Sequence, residues 1–195
     1  MSPGLPPLAW IGLIASLLMA GSASGHRLDE VLQAARVDVG VARLEVELDL
    51  TPGIETTSRV LRLIDLNGDG TLSATEWEAY ADLVRSSLTL KVDGRTCPLA
   101  GESATYATME QLTNGVGMIR LTFSAQFPPL RTGRHRVAFR NRHLPEASVY
   151  LANALRPSDP LVGVERQERD VLQRELTITV SIKAPAKVRR PPAAG

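Results

Sequence analysis

The chain contains one cysteine, Cys97, in 195 residues. No disulfide can close within one copy, and paired-cysteine zinc or redox motifs are excluded. Aromatic residues make up only 4% of the sequence, too few for a platform that stacks bases or sugars. Charge is nearly balanced, 22 Lys and Arg against 21 Asp and Glu, so no electrostatic footprint points to nucleic acid. The motifs of catalysis are missing too: there is no Gly-x-Ser-x-Gly elbow, no phosphate loop and no His-Glu-x-x-His. Cys97 and His143 have the chemistry of a nucleophile and a base, but nothing in the sequence brings them together. An enzyme site built from scattered carboxylates needs only spatial proximity and leaves no sequence signature. The expectation is a chain without catalysis of its own.

Long apolar runs are also scarce. The single one, Leu8 to Ala20, is uncharged and followed by Gly21, Ser22, Ala23, Ser24 and Gly25. It falls short of the roughly 20 residues that span a bilayer and suits a secretory signal with a small-residue cleavage site. Residues 1–25 therefore read as an export signal, although no Lys or Arg precedes the run. The mature chain is expected to be periplasmic or secreted, without a transmembrane helix. No cysteine follows the run, so a lipoprotein anchor is not available.

The strongest positive signal is the stretch Asp65-Leu66-Asn67-Gly68-Asp69-Gly70-Thr71-Leu72-Ser73-Ala74-Thr75-Glu76. Oxygen-bearing side chains recur at the positions that wrap a hard cation, and a glycine stands at the sharp bend. Calcium takes six to eight oxygens, at roughly 2.3–2.6 Å. Asp65, Asn67 and Asp69 supply side-chain oxygens, Thr71 a backbone carbonyl, Ser73 a hydroxyl or a bridged water, and Glu76 both carboxylate oxygens. The flanks agree. Val60, Leu61 and Ile64 lie on one helical face before the loop, and Trp77, Tyr80, Ala81 and Val84 on one face after it. Leu72 takes the apolar position under the loop, and Ser73 with Glu76 forms a capping-box pattern. Together these features resemble an EF-hand. No second such loop is present. EF-hands usually brace one another in pairs, so this one is expected to lean on its host domain or on a second copy or other protein partner.

Around it the sequence reads as strands. Leu28–Val39 and Val41–Leu50 form a hairpin, the second arm alternating Leu44, Val46, Leu48 and Leu50 against Arg43, Glu45, Glu47 and Asp49. Thr51-Pro52-Gly53 stops it. Further strands are predicted at Leu88–Val92 before an Asp93-Gly94 turn, then at Tyr106–Leu112, Met118–Phe127, Arg134–Arg140, Ser148–Leu155 and Leu172–Lys183. Asn114-Gly115 turns the chain between the second and third of these. The expected fold is mainly β, an antiparallel sandwich over 26–183 with the EF-hand helix-loop-helix inserted at about 54–85. Residues 184–195 read as a disordered Pro, Ala, Lys and Arg tail.

Three smaller features carry candidate chemistry. Cleavage after Gly25 would place His26 at the mature N-terminus, where its amine and imidazole suit Cu(II) or Ni(II). His135 and His143 are the other histidines, expected among arginines on exposed strands. Cys97 is expected to be a small buried hydrophobe. Arg131, Arg134, Arg136, Arg140 and Arg142, interleaved with Val137 and Phe139, read as a solvated strand face.

The order of these elements is similar to the periplasmic N-terminal portion of HupE/UreJ-type proteins, the nickel/cobalt permeases linked to hydrogenase and urease. The matching features are His26, the hairpin to Leu50, Asp65 to Glu76, Leu88 to Gly94, and Cys97. Those permeases continue into transmembrane helices, which residues 26–195 lack, so transport is not implied. The resemblance implies an exported accessory or stand-alone version of the domain, placed near transition metals.

Overall fold

The computed structural model describes residues 29–184. Residues 1–25, read above as an export signal, His26 and residues 185–195 lie outside the described residues. The element order is β1 (Val31–Val39), β2 (Arg43–Pro52), α1 (Ile54–Ile64), α2 (Ala74–Ser86), β3 (Leu88–Val92), β4 (Arg95–Thr96), β5 (Ala100–Thr105), α3 (Met109–Thr113), β6 (Ile119–Gln126), β7 (Gly133–Asn141), β8 (Ser148–Ala154), β9 (Val162–Arg169) and β10 (Glu175–Ile182). The strands make two five-stranded sheets, ordered β5-β6-β2-β1-β8 and β4-β3-β7-β10-β9.

The β1–β2 hairpin shows why the chain takes this form. Leu44, Val46, Leu48 and Leu50 are fully buried on one face of β2. Each contributes roughly 1.5–3 kcal/mol by leaving water, and a one-residue slip of register would expose them all. Phe123 of β6, Phe139 of β7 and Leu176 and Ile178 of β10 supply facing layers of one core. On the outer face Asp49 accepts from Arg120 at 2.7 and 3.0 Å and from Arg36 at 2.6 Å. Burial opposes its charge, but those bonds prevail and hold its carboxyl below the usual range.

The structure corrects several sequence expectations. The sheets are not wholly antiparallel, because β8 runs parallel to β1 with Val31 opposite Ser148. The preceding strand, β7, lies in the other sheet, so β8 enters beside β1 through the short 142–147 connection between sheets rather than from a hairpin. Side chains of β9 tie its outer edge: Arg169 Nε donates to the Ala152 carbonyl at 2.5 Å, and Gln167 Oε1 accepts from the Ala154 amide at 2.9 Å. Tyr106–Leu112 is not a strand. Its latter part is α3, started by a reciprocal Thr108–Gln111 capping box. Asn114-Gly115 ends this helix, with Gly115 at φ +68° and the Gly115 and Val116 amides bonded back to the Leu112 and Gln111 carbonyls at 3.0 Å. Strand β2 runs through Thr51 and Pro52, two residues past the expected stop. Three strands, β4, β5 and β9, had no apolar alternation to announce them; β4 and β5 are exposed along their whole length, and all three are edge strands.

Candidate metal centre

Helices α1 and α2 leave the sandwich after β2 and return to it at β3. Helix α1 buries Thr56, Thr57, Val60 and Ile64, and α2 buries Trp77, Tyr80 and Val84. The Trp77 ring stacks on Tyr106 at 4.3 Å. These contacts hold the 65–73 connection at the molecular surface.

Each residue named from the sequence takes a definite place in that connection. Asp65 is the C-cap of α1. Its Oδ1 accepts from the Gly68 amide at 2.7 Å and its Oδ2 from Gly70 at 3.0 Å. Asn67 accepts from the Asp69 amide at 2.9 Å and donates to Asp69 Oδ2 at 2.8 Å. Asp69 Oδ1 accepts from the hydroxyl and amide of Thr71 at 2.7 and 2.8 Å. Gly68 and Gly70 both adopt positive φ, +72° and +76°, which lets the chain curl around its own oxygens.

Glu76 closes the arrangement. It is 7% exposed although it sits beside a polar loop. Its Oε2 accepts from the Ser73 amide and hydroxyl at 3.0 and 2.8 Å, and the Ser73 hydroxyl accepts from the Glu76 amide at 3.3 Å. Its Oε1 reaches back across the loop to the Leu66 and Asn67 amides at 3.0 and 3.4 Å. The first and last turns of the loop are therefore joined by one carboxylate.

The electrostatics follow from these bonds. The Ser73 amide and hydroxyl hold the Glu76 carboxyl below its ordinary range, and the Thr71 hydroxyl and amide do the same for Asp69. Both groups stay ionised at neutral pH. Among the described residues no three His, Cys, Asp or Glu side chains converge at metal-holding separation. The oxygens are spread along the loop and engaged with amide hydrogens. An ionised carboxylate has about four acceptor sites, so an oxygen bonded to an amide retains capacity for a cation. The donor set is oxygen throughout, from three carboxylates, an amide, a hydroxyl and a backbone carbonyl. That chemistry fits a hard cation such as calcium or magnesium and does not fit a thiophilic one.

The other candidates separate from this loop. Cys97 is buried, as the sequence implied. Of the arginine stretch, Arg134 pairs with Glu165 at 2.7 Å and Arg140 pairs with Glu175, a solvated strand face. His143, by contrast, is 3% exposed rather than on an open strand, which corrects the expectation. Its Nε2 lies 3.1 Å from Tyr80 Oη, one turn of α2 beyond Glu76. Around it stands a buried polar junction that sequence reading missed. Gln33 Nε2 donates to the His143 carbonyl and to Ser148 Oγ, both at 2.7 Å. Asn141 donates to Gln33 Oε1 at 2.8 Å and accepts from the His143 amide at 2.9 Å. Tyr150 Oη donates to the His143 carbonyl at 2.7 Å. Desolvation pushes the His143 ring down to about 4, so it is neutral and shares a hydrogen bond with the Tyr80 hydroxyl. This junction links α2 to β1, β7 and β8, and so to both sheets.

No protein-family model, curated protein or solved structure matches the chain. No helix among the described residues is long and apolar enough to cross a membrane.

Proposed function

We propose that this is an exported calcium-binding protein with a single EF-hand, in which the ion serves structure and the β-domain serves as an interaction or accessory module. One observation carries the reading. The Glu76 carboxylate reaches from the last loop position to the amides of Leu66 and Asn67, which sets the loop's two ends around a common interior. Asp65, Asn67, Asp69, Thr71, Ser73 and Glu76 would hold the ion. Calcium supplies the positive charge that offsets the repulsion among Asp65, Asp69 and Glu76. The chain's own residues do the rest. Ser73 fixes the start of α2 through its capping box, and Trp77 and Tyr80 carry the position of that helix to Tyr106 and His143. An unpaired loop of this kind falls in the weak extracellular range of affinity, roughly 10⁻⁴–10⁻³ M. Such a site is filled where calcium is abundant, which agrees with the export signal read at residues 1–25.

Calorimetric titration of the purified chain with Ca²⁺, with Mg²⁺ as control, tests this. The expected result is one site per chain, a rise in melting temperature with calcium, and loss of both in Glu76→Gln. Equal melting curves for parent and variant, with and without calcium, would remove the structural role.

A further inference from the structure

A second polar feature stands at the opposite end of β7 from the His143 junction. The β3–β4 turn, with Asp93 at φ +47° and Gly94 at φ +80°, faces the segment that joins β6 to β7. Between them lies a groove of about 430 Å³. Val92, Cys97 and Pro98 line one wall, and Phe127, Pro128 and Leu130 line the other. His135 stands beside the groove, outside its lining, and ties the Asp93 turn to the segment that follows Leu130. Its Nδ1 lies 2.7 Å from Asp93 Oδ2, and its Nε2 lies 2.7 Å from the carbonyl of Arg131. Asp93 is held in turn, since its Oδ1 accepts from the Arg136 amide at 2.9 Å.

Both ring nitrogens therefore face acceptors that have no hydrogen to give. A neutral imidazole has one N–H and can satisfy only one of them, whereas the imidazolium satisfies both. We propose that His135 is a pH-operated clasp beside this groove, which in its doubly protonated form ties the Asp93 turn to the Arg131 segment and on losing a proton lets the latter go. The charge-assisted bond to Asp93 is the stronger of the two, so the remaining proton stays on Nδ1. Nε2 then presents a lone pair to the Arg131 carbonyl, and the Arg131 end of that wall is freed, while the Phe127 and Leu130 amides stay bonded to the Ala42 and Val41 carbonyls at 3.0 and 2.9 Å.

The surrounding charges are accounted for. Arg131, Arg134 and Arg136 lie on the ring's own segment, and Arg95 favours the charge of Asp93. Arg134 is drawn off by Glu165 of β9 at 2.7 Å. Across the sheet His135 is opposite Val180 of β10, which is uncharged. The Asp93 carboxylate outweighs partial burial, and the Arg131 carbonyl adds to it, so the ring is raised above its ordinary value. A raised folded-state value means the clasp is fully formed below the unfolded histidine value of about 6.5 and is lost as pH rises through the folded one.

Cys97, the only thiol and 7% exposed, reports on the groove. The test uses the full chain in two arms. First, an NMR titration of the three histidine rings, assigned with His135→Gln, is expected to place His135 above the ordinary value in the parent and lower in Asp93→Asn. Second, maleimide labelling of Cys97 at one fixed pH of 6 is expected to be several-fold faster in both variants than in the parent. A parent His135 that titrates at or below the ordinary value overturns the clasp, and so does equal labelling of parent and folded variants. The titration of the parent needs no variant to fold, so a value at or below the ordinary one overturns the clasp even if the substitutions destabilise the chain.

Discussion

The 65–76 loop and the His143 junction are both polar, and they are built in opposite ways. In the loop every hydrogen bond joins residues within ten positions of one another, and most of the oxygens face water. In the junction Gln33 meets His143 across 110 positions of sequence, and nothing in it reaches solvent freely. A local exposed cluster can reorganise around a cation without disturbing the core. A buried one assembled from α2 and both sheets forms only when the whole fold does. The two meet at α2, which carries Glu76 at one end and Tyr80 one turn on.

The largest expected effect comes from breaking the junction. Asn141→Ala removes the acceptor of the His143 amide and the donor to Gln33 Oε1, leaving two buried groups unpaired. The expected loss is about 3 kcal/mol. In a domain of this size that lowers the melting midpoint by roughly 6–12 °C, readable by calorimetry. A midpoint within a degree of the parent would mean that water enters and the junction is not dry. Next comes Tyr80→Phe, which strips the hydroxyl from His143 Nε2 and is expected to cost about 1.5 kcal/mol. The junction also carries a pH signature. Burial pushes His143 down to about 4. Its contribution is therefore full above the unfolded value of about 6.5 and is lost as pH falls from there toward the folded one. His143→Phe is expected to flatten that part of the pH–stability curve; an unchanged curve would assign the acid loss elsewhere.

This contrast also explains what could be read from the chain alone. The loop was legible because its spacing, its glycines and its capping box are all local. The β1–β2 hairpin was legible because Leu44 to Leu50 alternate without interruption. The junction was not, because Gln33 and Asn141 look like any polar residues on a strand, and only the pairing of distant strands buries them. His143 lies beside Arg142 in sequence, which suggested an exposed face. Strand β9, with Glu165, Arg166, Glu168 and Arg169, reads as a charged loop; its pairing with β10 makes it a strand, and its charges suit an edge. Helix α3 did carry a signal, the Thr108-x-x-Gln111 box, which an apolar strand pattern overshadowed.

Smaller effects are expected from the loop. Gly70 has φ +76° and open space where a Cβ would stand, so Gly70→Ala costs conformational strain and no clash. About 1 kcal/mol is expected in a chelator. Under the proposed function the same substitution weakens calcium binding as well, because the Thr71 carbonyl that would hold the ion directly follows the bend. A variant that melts lower but binds calcium like the parent would separate the bend from the site.

The smallest effect, and the sharpest discrimination, is the acid response of the loop without calcium. Asp69 and Glu76 are held below the ordinary carboxylate range by the hydroxyls and amides of Thr71 and Ser73. Their contribution is full above that range and is lost as pH falls through the folded values, below about pH 4. The His143 junction weakens earlier, from about pH 6.5 downward. In a chelator, the amide resonances of Thr71 and Ser73 should therefore hold steady from pH 7 to 5 and move only below about 4. If part of that movement follows the His143 ring, which is pushed down to about 4, and disappears in His143→Phe, Tyr80 transmits the protonation of His143 along α2 to the loop. The two polar regions would then be one coupled system, and the acid loss of calcium affinity would carry a His143 component that His143→Phe removes.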